Sequence, residues 1–233
     1  MLELFHVTKR FMGTLLLNDI HVKIEQGTIY GISGPDAEGM RALLRTMAGI
    51  SRPDLGKVLI DEEELYENEE LKQRSFLMAE NMFFRSHSAI RDSRNFYSGY
   101  EPNWNEDLFR RLLTVFGLTL DQRYYTLTQG KKTQLRFAIA FATGSDYLLV
   151  EEPYLGLTHS EREQIQTLMR SYVTDRGATI VAAASQIQEE DADACGYMID
   201  RRLLNGVSER EFRETERKLR EEGEDRELDR FFR

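Results

Sequence analysis

The chain is poor in several things that would have marked it for a particular class. It has one cysteine, Cys195, in 233 residues. No internal disulfide framework can form, and a reducing compartment suits such a chain. It has no excess of basic residues: the formal net charge is −9. That argues against non-specific nucleic-acid binding, which needs a positive face. No segment approaches the roughly 18 consecutive apolar residues of a membrane span, so a role at a membrane is expected to run through a partner. The opening "MLELFHVTKRF" lacks the apolar run of a signal peptide. Internal repeats and low-complexity linkers are also missing.

What is present is ordinary globular material. Apolar residues make up 41%, enough for one domain with a sizeable insertion. "LELFHV", "LLLNDIHVKI" and "TIYGIS" read as strands separated by turn signals at Gly13 and Gln26-Gly27. "MRALLRTMAG" reads as a helix, with Leu43, Leu44 and Met47 on one face and Gly49 as its C-cap. "SFLMAENMFF" reads as a strand running into a loop. The pattern is then helical over about 88–142. There Leu108, Leu112 and Phe116 recur a turn apart, behind Asn103 or Asn105 as cap. "YLLVEEP" and "TIVAAAS" read as buried parallel strands. Between them lies an amphipathic helix expected to start at Ser160, with Glu163 in capping-box position. "YMIDRRLLNG" reads as a hairpin. From Ser208 the tail is nearly all charged, with i,i+4 pairs Glu209–Arg213, Glu214–Lys218, Glu216–Arg220 and Glu222–Arg226. A solvated helix is the favoured reading there and a docking element the alternative. Strands alternating with helices after a β-rich start predict an α/β layer fold with a parallel sheet.

At the first strand-to-helix junction stands Gly34-Pro35-Asp36-Ala37-Glu38-Gly39-Met40-Arg41-Ala42. Two glycines five positions apart let backbone N–H groups converge on phosphate oxygens at a helix start. The two residues needed next are missing. A phosphate loop continues with Lys, which neutralises the β- and γ-phosphates, and Ser or Thr, which holds Mg²⁺. Met40 and Arg41 stand there instead.

Downstream, "LTQGKKTQL", "YLLVEEPYLGL" and "TIVAAASQI" follow in that order. With the loop, they make nearly the whole chain resemble the nucleotide-binding subunit of an ATP-binding cassette (ABC) transporter. "YEPNWNEDLFRRLLTVFGL" and "EEPYLGL" resemble the YtrB-like group of bacterial exporter subunits. The resemblance implies a P-loop NTPase-type α/β core with an N-terminal antiparallel β portion and a helical insertion. One nucleotide-binding domain would cover 1–207, with 1–87 and 143–207 as core and 88–142 as helical subdomain; 208–233 would be the charged C-terminal helix.

By the same resemblance, Phe11 falls where an aromatic stacks on adenine, although a core position beside a turn is an equal reading. Gly34 to Ala42 is the phosphate loop. Glu80 falls on the glutamine that senses the γ-phosphate and metal. Leu127-Thr128-Gln129-Gly130-Lys131 stands at the signature motif, with Gln129 in place of its first glycine. Glu151 replaces the aspartate that organises Mg²⁺. Glu152 is the general base, Gln186 replaces the switch histidine, and Thr158 replaces an aspartate of the loop that communicates between subunits. Phe83, Phe84 and Ile90 would offer apolar surface to a permease or pack within the helical insertion.

These departures imply hydrolysis that is absent or very weak at the chain's own loop. Asp36 and Glu38 add negative charge where an anion should bind, so ATP would be held weakly and Mg²⁺ poorly. Arg41 would either stand in for the metal or pair with Glu151 and close an empty site. The implied partners are a second, consensus cassette subunit and integral membrane permease subunits, with no nucleic acid. The chain would then be cytoplasmic, peripheral on the inner face of the membrane. A non-hydrolysing regulatory or scaffolding pseudo-ATPase is the alternative.

Overall fold

The computed structural model describes residues 1–80, 82, 84 and 87–222. Its first layer is an antiparallel sheet. Strands β1 (Leu2–Phe11), β2 (Thr14–Ile24), β4 (Leu55–Ile60) and β5 (Glu63–Glu64) lie in the order β2-β1-β4-β5. The second is a six-stranded sheet in the order β10-β9-β3-β8-β7-β6. It is built from β3 (Ile29–Ser33), β6 (Ser75–Met78), β7 (Tyr147–Glu151), β8 (Thr179–Ala183), β9 (Ala194–Ile199) and β10 (Arg202–Asn205). Only β10 runs antiparallel in it, paired to β9 as a hairpin. Strands β3, β7 and β8 are buried along their whole length, as the unbroken apolar runs predicted.

Helix α1 (Ala37–Met47) lies between the two sheets. Met40, Leu43, Leu44 and Met47 repeat with helical period and form its buried stripe. Each contributes about 1.5–3 kcal/mol by leaving water. The helix starts three residues before "MRALL". Its C-cap is Ala48, with left-handed Gly49 just beyond (φ +68°), one position off the expected cap. A single helical turn, α2 (Glu69–Lys72), precedes β6 and has no periodic signal long enough to read.

The 88–142 region holds α3 (Ile90–Tyr100), α4 (Glu106–Val115) and α5 (Gln129–Ala142). Asn105 caps α4 through a bond from Leu108 N at 2.9 Å. These helices share one core with a face of the parallel sheet: Phe109, Leu112 and Phe116 pack in the same cluster as Leu148, Val150 and Ile180. Ile90 is buried and packs internally, while half-buried Phe84 stacks on Tyr124 at 4.5 Å and keeps part of its ring at the surface. Phe83 lies outside the described residues.

Helix α6 (His159–Arg176) starts one residue earlier than expected, and its cap lies two residues earlier than Ser160. Thr158 is its N-cap and Glu161 completes the capping box, because Thr-x-x-Glu satisfies both orphan amides as well as Ser-x-x-Glu does. The last helix, α7 (Glu209–Glu222), is not merely solvated. Phe212 is buried and stacks on Tyr197 at 4.8 Å, docking the helix on the β9–β10 hairpin. Glu209–Arg213 forms as expected at 2.5 Å. The other three predicted pairs involve side chains outside the described set.

Candidate functional site

The Gly34–Ala42 loop joins β3 to α1 at the carboxyl end of the parallel sheet, where such folds bind ligands. Gly34 has φ +140°, and a Cβ there would lie 2.1 Å from Met198 O. Only glycine lets β9 come so close. Pro35 and Ala37 close the turn through Ala37 N donating to Pro35 O at 3.2 Å, and Met40 N donates to Asp36 O at 2.9 Å.

Asp36 is the N-cap of α1. Its Oδ1 accepts from Gly39 N at 2.9 Å. The same carboxylate accepts from the backbone N of Arg201 at 2.9 Å and from its guanidinium. The other guanidinium nitrogen donates to Glu38 Oε2 at 2.9 Å. The two acids inside the loop are therefore bridged by one arginine from the β9–β10 turn. No local sequence signal marked Arg201, which is 165 residues from Asp36.

One turn on, Arg41 donates from Nε to Glu151 Oε1 at 2.6 Å. That hydrogen bond, then the Glu151 charge, holds the guanidinium above its usual pKa. Glu151 Oε2 accepts from Glu80 N at 2.9 Å. The pairing alternative for Arg41 is the one the structure contains. Both Glu151 oxygens are engaged, and Met40, in the lysine position, is buried. A hard cation wants several oxygen ligands. The residues here do not fit Mg²⁺, and among the described residues no cluster of three or more His, Cys, Asp and Glu could hold a metal. Nor does the loop in this arrangement fit a phosphate, since a carboxylate already takes the Gly39 amide.

Glu152 follows β7 in left-handed backbone, φ 50°. Burial, then the nearby charges of Glu80 and Glu151, push its carboxyl above the usual range. Beneath these acids lies Arg136 of α5, fully buried, a residue that sequence reading missed because it sits in an apolar helical run. Its Nη1 donates to Ala79 O (3.1 Å) and Glu151 O (3.3 Å), and its Nη2 to Thr133 Oγ1 (3.0 Å) and Glu152 O (3.3 Å). Its Nε has no hydrogen-bond partner among the described residues. Burial lowers its pKa, opposed by Tyr124 and the three glutamates.

Of the remaining expected positions, Gln186 directly follows Ser185, whose carbonyl accepts from Gly34 N at 3.4 Å. Phe11 is 60% exposed at the end of β1, which removes the core reading. Gln186 is exposed in the loop after β8. Thr128 caps α5, its hydroxyl accepting from Lys131 N at 3.2 Å, and Thr128 and Gln129 face solvent. Gly130 is buried against the loop after β7: a Cβ there would lie 2.5 Å from Gly156 O.

Comparison with known proteins gives a consistent answer. The family model described as "ABC transporter" matches residues 17–155. The ABC transporter ATP-binding protein YtrB of Bacillus subtilis (strain 168) is 26% identical over 220 residues, covering 92% of this chain and 74% of that protein. Two solved structures share the fold. One is cbiO1 from Clostridium perfringens, part of an ABC transporter complex (TM-score 0.72, 20% identity, 95% of this chain and 96% of that one). The other is a dimeric bacterial ABC transporter cassette (TM-score 0.75, 19% identity, 87% and 96%). Among the described residues no helix is long and apolar enough to cross a membrane. A cassette fold, a phosphate-loop frame at its strand-to-helix junction and a family match over most of its length together place this chain in the ABC transporter family.

Proposed function

We propose that this chain is the non-hydrolysing half of a heteromeric ABC transporter, an ATP-binding-type subunit that completes its partner's site while its own loop stays silent. The observation that carries this is the closure of the loop by internal ion pairs: Asp36 and Glu38 with Arg201, and Arg41 with Glu151. No Lys or hydroxyl is available at Met40 and Arg41 to hold phosphate or metal. Glu152, the expected base, sits beside a cation pair rather than an open metal position. Gln186 brings no imidazole. Phe11 is exposed where an adenine could stack, so weak ATP binding without hydrolysis fits the arrangement.

The signature end is the opposite. Thr128, Gln129 and Gly130 start a helix whose first turn carries no acid. A helix N-terminus of this kind favours an anion brought from outside, and a phosphate on a second subunit is that anion. The implied assembly pairs this chain with a consensus cassette subunit on the cytoplasmic face of a membrane permease. Export is the direction we infer, from the resemblance to the YtrB-like group.

The test is co-expression with a consensus cassette subunit and its permease. The chain alone is expected to hydrolyse no ATP, the complex to hydrolyse it, and replacement of Thr128 and Gly130 to lower that rate tenfold or more, the scale of losing one oriented donor set. Family-typical hydrolysis by the chain alone refutes the reading. A second reading, a purely scaffolding pseudo-ATPase, is favoured by Thr158 and Gln129, which replace residues of cross-subunit geometry; the Thr158 hydroxyl caps α6. Unchanged activity after the Thr128 and Gly130 replacements selects it.

A further inference from the structure

We infer that the β9–β10 turn is an autoinhibitory latch: Arg201 holds Asp36 and Glu38 in place as internal anions, so the loop is kept from phosphate by the chain itself. The inference rests on the silent-loop reading and adds the means by which silence is maintained.

The geometry is specific. Asp36 is largely buried, and both of its oxygens are used, one on Gly39 N and one on Arg201 N. A planar guanidinium then spans both acids, Nη1 on Asp36 and Nη2 on Glu38. That fork matches two oxygens of opposite charge, as it would match two phosphate oxygens. The turn that presents it is Asp200-Arg201, with φ 48° and 67°. Two consecutive left-handed residues form the tight hairpin turn that normally takes Asn-Gly. Here neither is glycine, so the conformation carries a cost the contacts must offset. The contacts are the loop acids on one side and, on the other, Asn18 N donating to Arg201 O at 2.7 Å. Docking of α7 on the same hairpin through Phe212 and Tyr197 ties the latch to the C-terminal helix. Arg201 is thus a cation already aimed at the loop, neutralised only because the loop supplies its own anions.

The consequence is a gain of binding when the internal anions are removed. The full chain is titrated with inorganic pyrophosphate in metal-free buffer by calorimetry. Asp36→Asn keeps the N-cap, since an amide oxygen still accepts from Gly39 N. The Asp36→Asn/Glu38→Gln double variant is expected to bind pyrophosphate about tenfold more tightly than wild type, the scale of one freed charge-assisted contact. Adding Arg201→Gln to that variant is expected to erase the gain. Glu38→Gln alone, at an exposed side chain that does not bear on folding, is expected to show a partial gain of about threefold by the same contact scale. No gain in either the double or the single variant overturns the latch, and so does a gain that survives loss of Arg201. Hydrolysis of ATP by the wild-type chain refutes the silent-loop reading instead, and the pyrophosphate titration then still decides the latch.

Discussion

Helices α1 and α5 both begin at glycine-containing turns with a polar N-cap, yet their first turns have become opposites. At α1 the cap is Asp36, an acid follows at Glu38, and Arg201 seals both. At α5 the cap is neutral Thr128, the first turn carries Lys131 and Lys132, and the cap faces water. Elementary electrostatics makes both helix starts attractive to anions. At α1 the acids come from the helix start itself, Asp36 and Glu38; at α5 an acid comes from another helix, Glu161 of α6, whose Oε1 lies 3.8 Å from Lys131 Nζ. On the proposed reading the loss of Lys and Ser/Thr from the phosphate loop is not simple erosion, because two separate groups of ion pairs stand there, Arg201 with Asp36 and Glu38, and Arg41 with Glu151.

The variant with the largest expected effect breaks the element common to both ends. Arg136 belongs to α5 but bonds the carbonyls of Ala79, Glu151 and Glu152 at the loop end. Arg136→Met strands those acceptors and is expected to cost about 3 kcal/mol in urea unfolding. Gly130→Ala comes next. Its Cβ would meet backbone at Gly156, and the overpacking is expected to cost about 2 kcal/mol. Thr128→Ala removes only the cap bond and should cost about 1 kcal/mol by the same measurement.

At the α1 end the pair between half-exposed Arg41 and Glu151 is screened, so Arg41→Met is expected to cost under about 1 kcal/mol. A loss as large as that of Arg136→Met would show that this pair, not Arg136, holds the site together. The smallest effect is one of pH. Burial raises the Glu152 pKa in the folded chain. The folded state then keeps a proton the unfolded state has released. Stability from that proton is present at low pH and lost as pH rises through the folded value, above the usual glutamate range. Thermal melts of Glu152→Gln should lack that decline, so the variant gains on wild type as pH rises. A constant difference across pH would place the carboxyl in water.

Much of the fold was legible because its signals are local. The apolar runs that became β3, β7 and β8, the Asn105 cap and the period of α1 are each decided within a dozen residues. Boundaries shifted where two local solutions compete, as at Thr158 against Ser160. The surface or core status of Phe11, Phe84 and Ile90 was not legible, because burial depends on which distant ring or strand arrives opposite. Arg136 stayed hidden inside an apolar helix for the same reason.

The order of motifs along the chain alone determined the family and named the missing Lys and hydroxyl. It also put Arg41 forward, either as a stand-in for the metal or as a partner of Glu151, because a cation stands where the metal ligand is lost. Only the tertiary structure decided what fills the loop. The pairing of β3 with β9 carries the Asp200-Arg201 turn to the start of α1, and an ion pair across 165 residues has no signature in local sequence. Coulomb attraction selects its partners by distance in space, and that distance exists only after the sheet has formed.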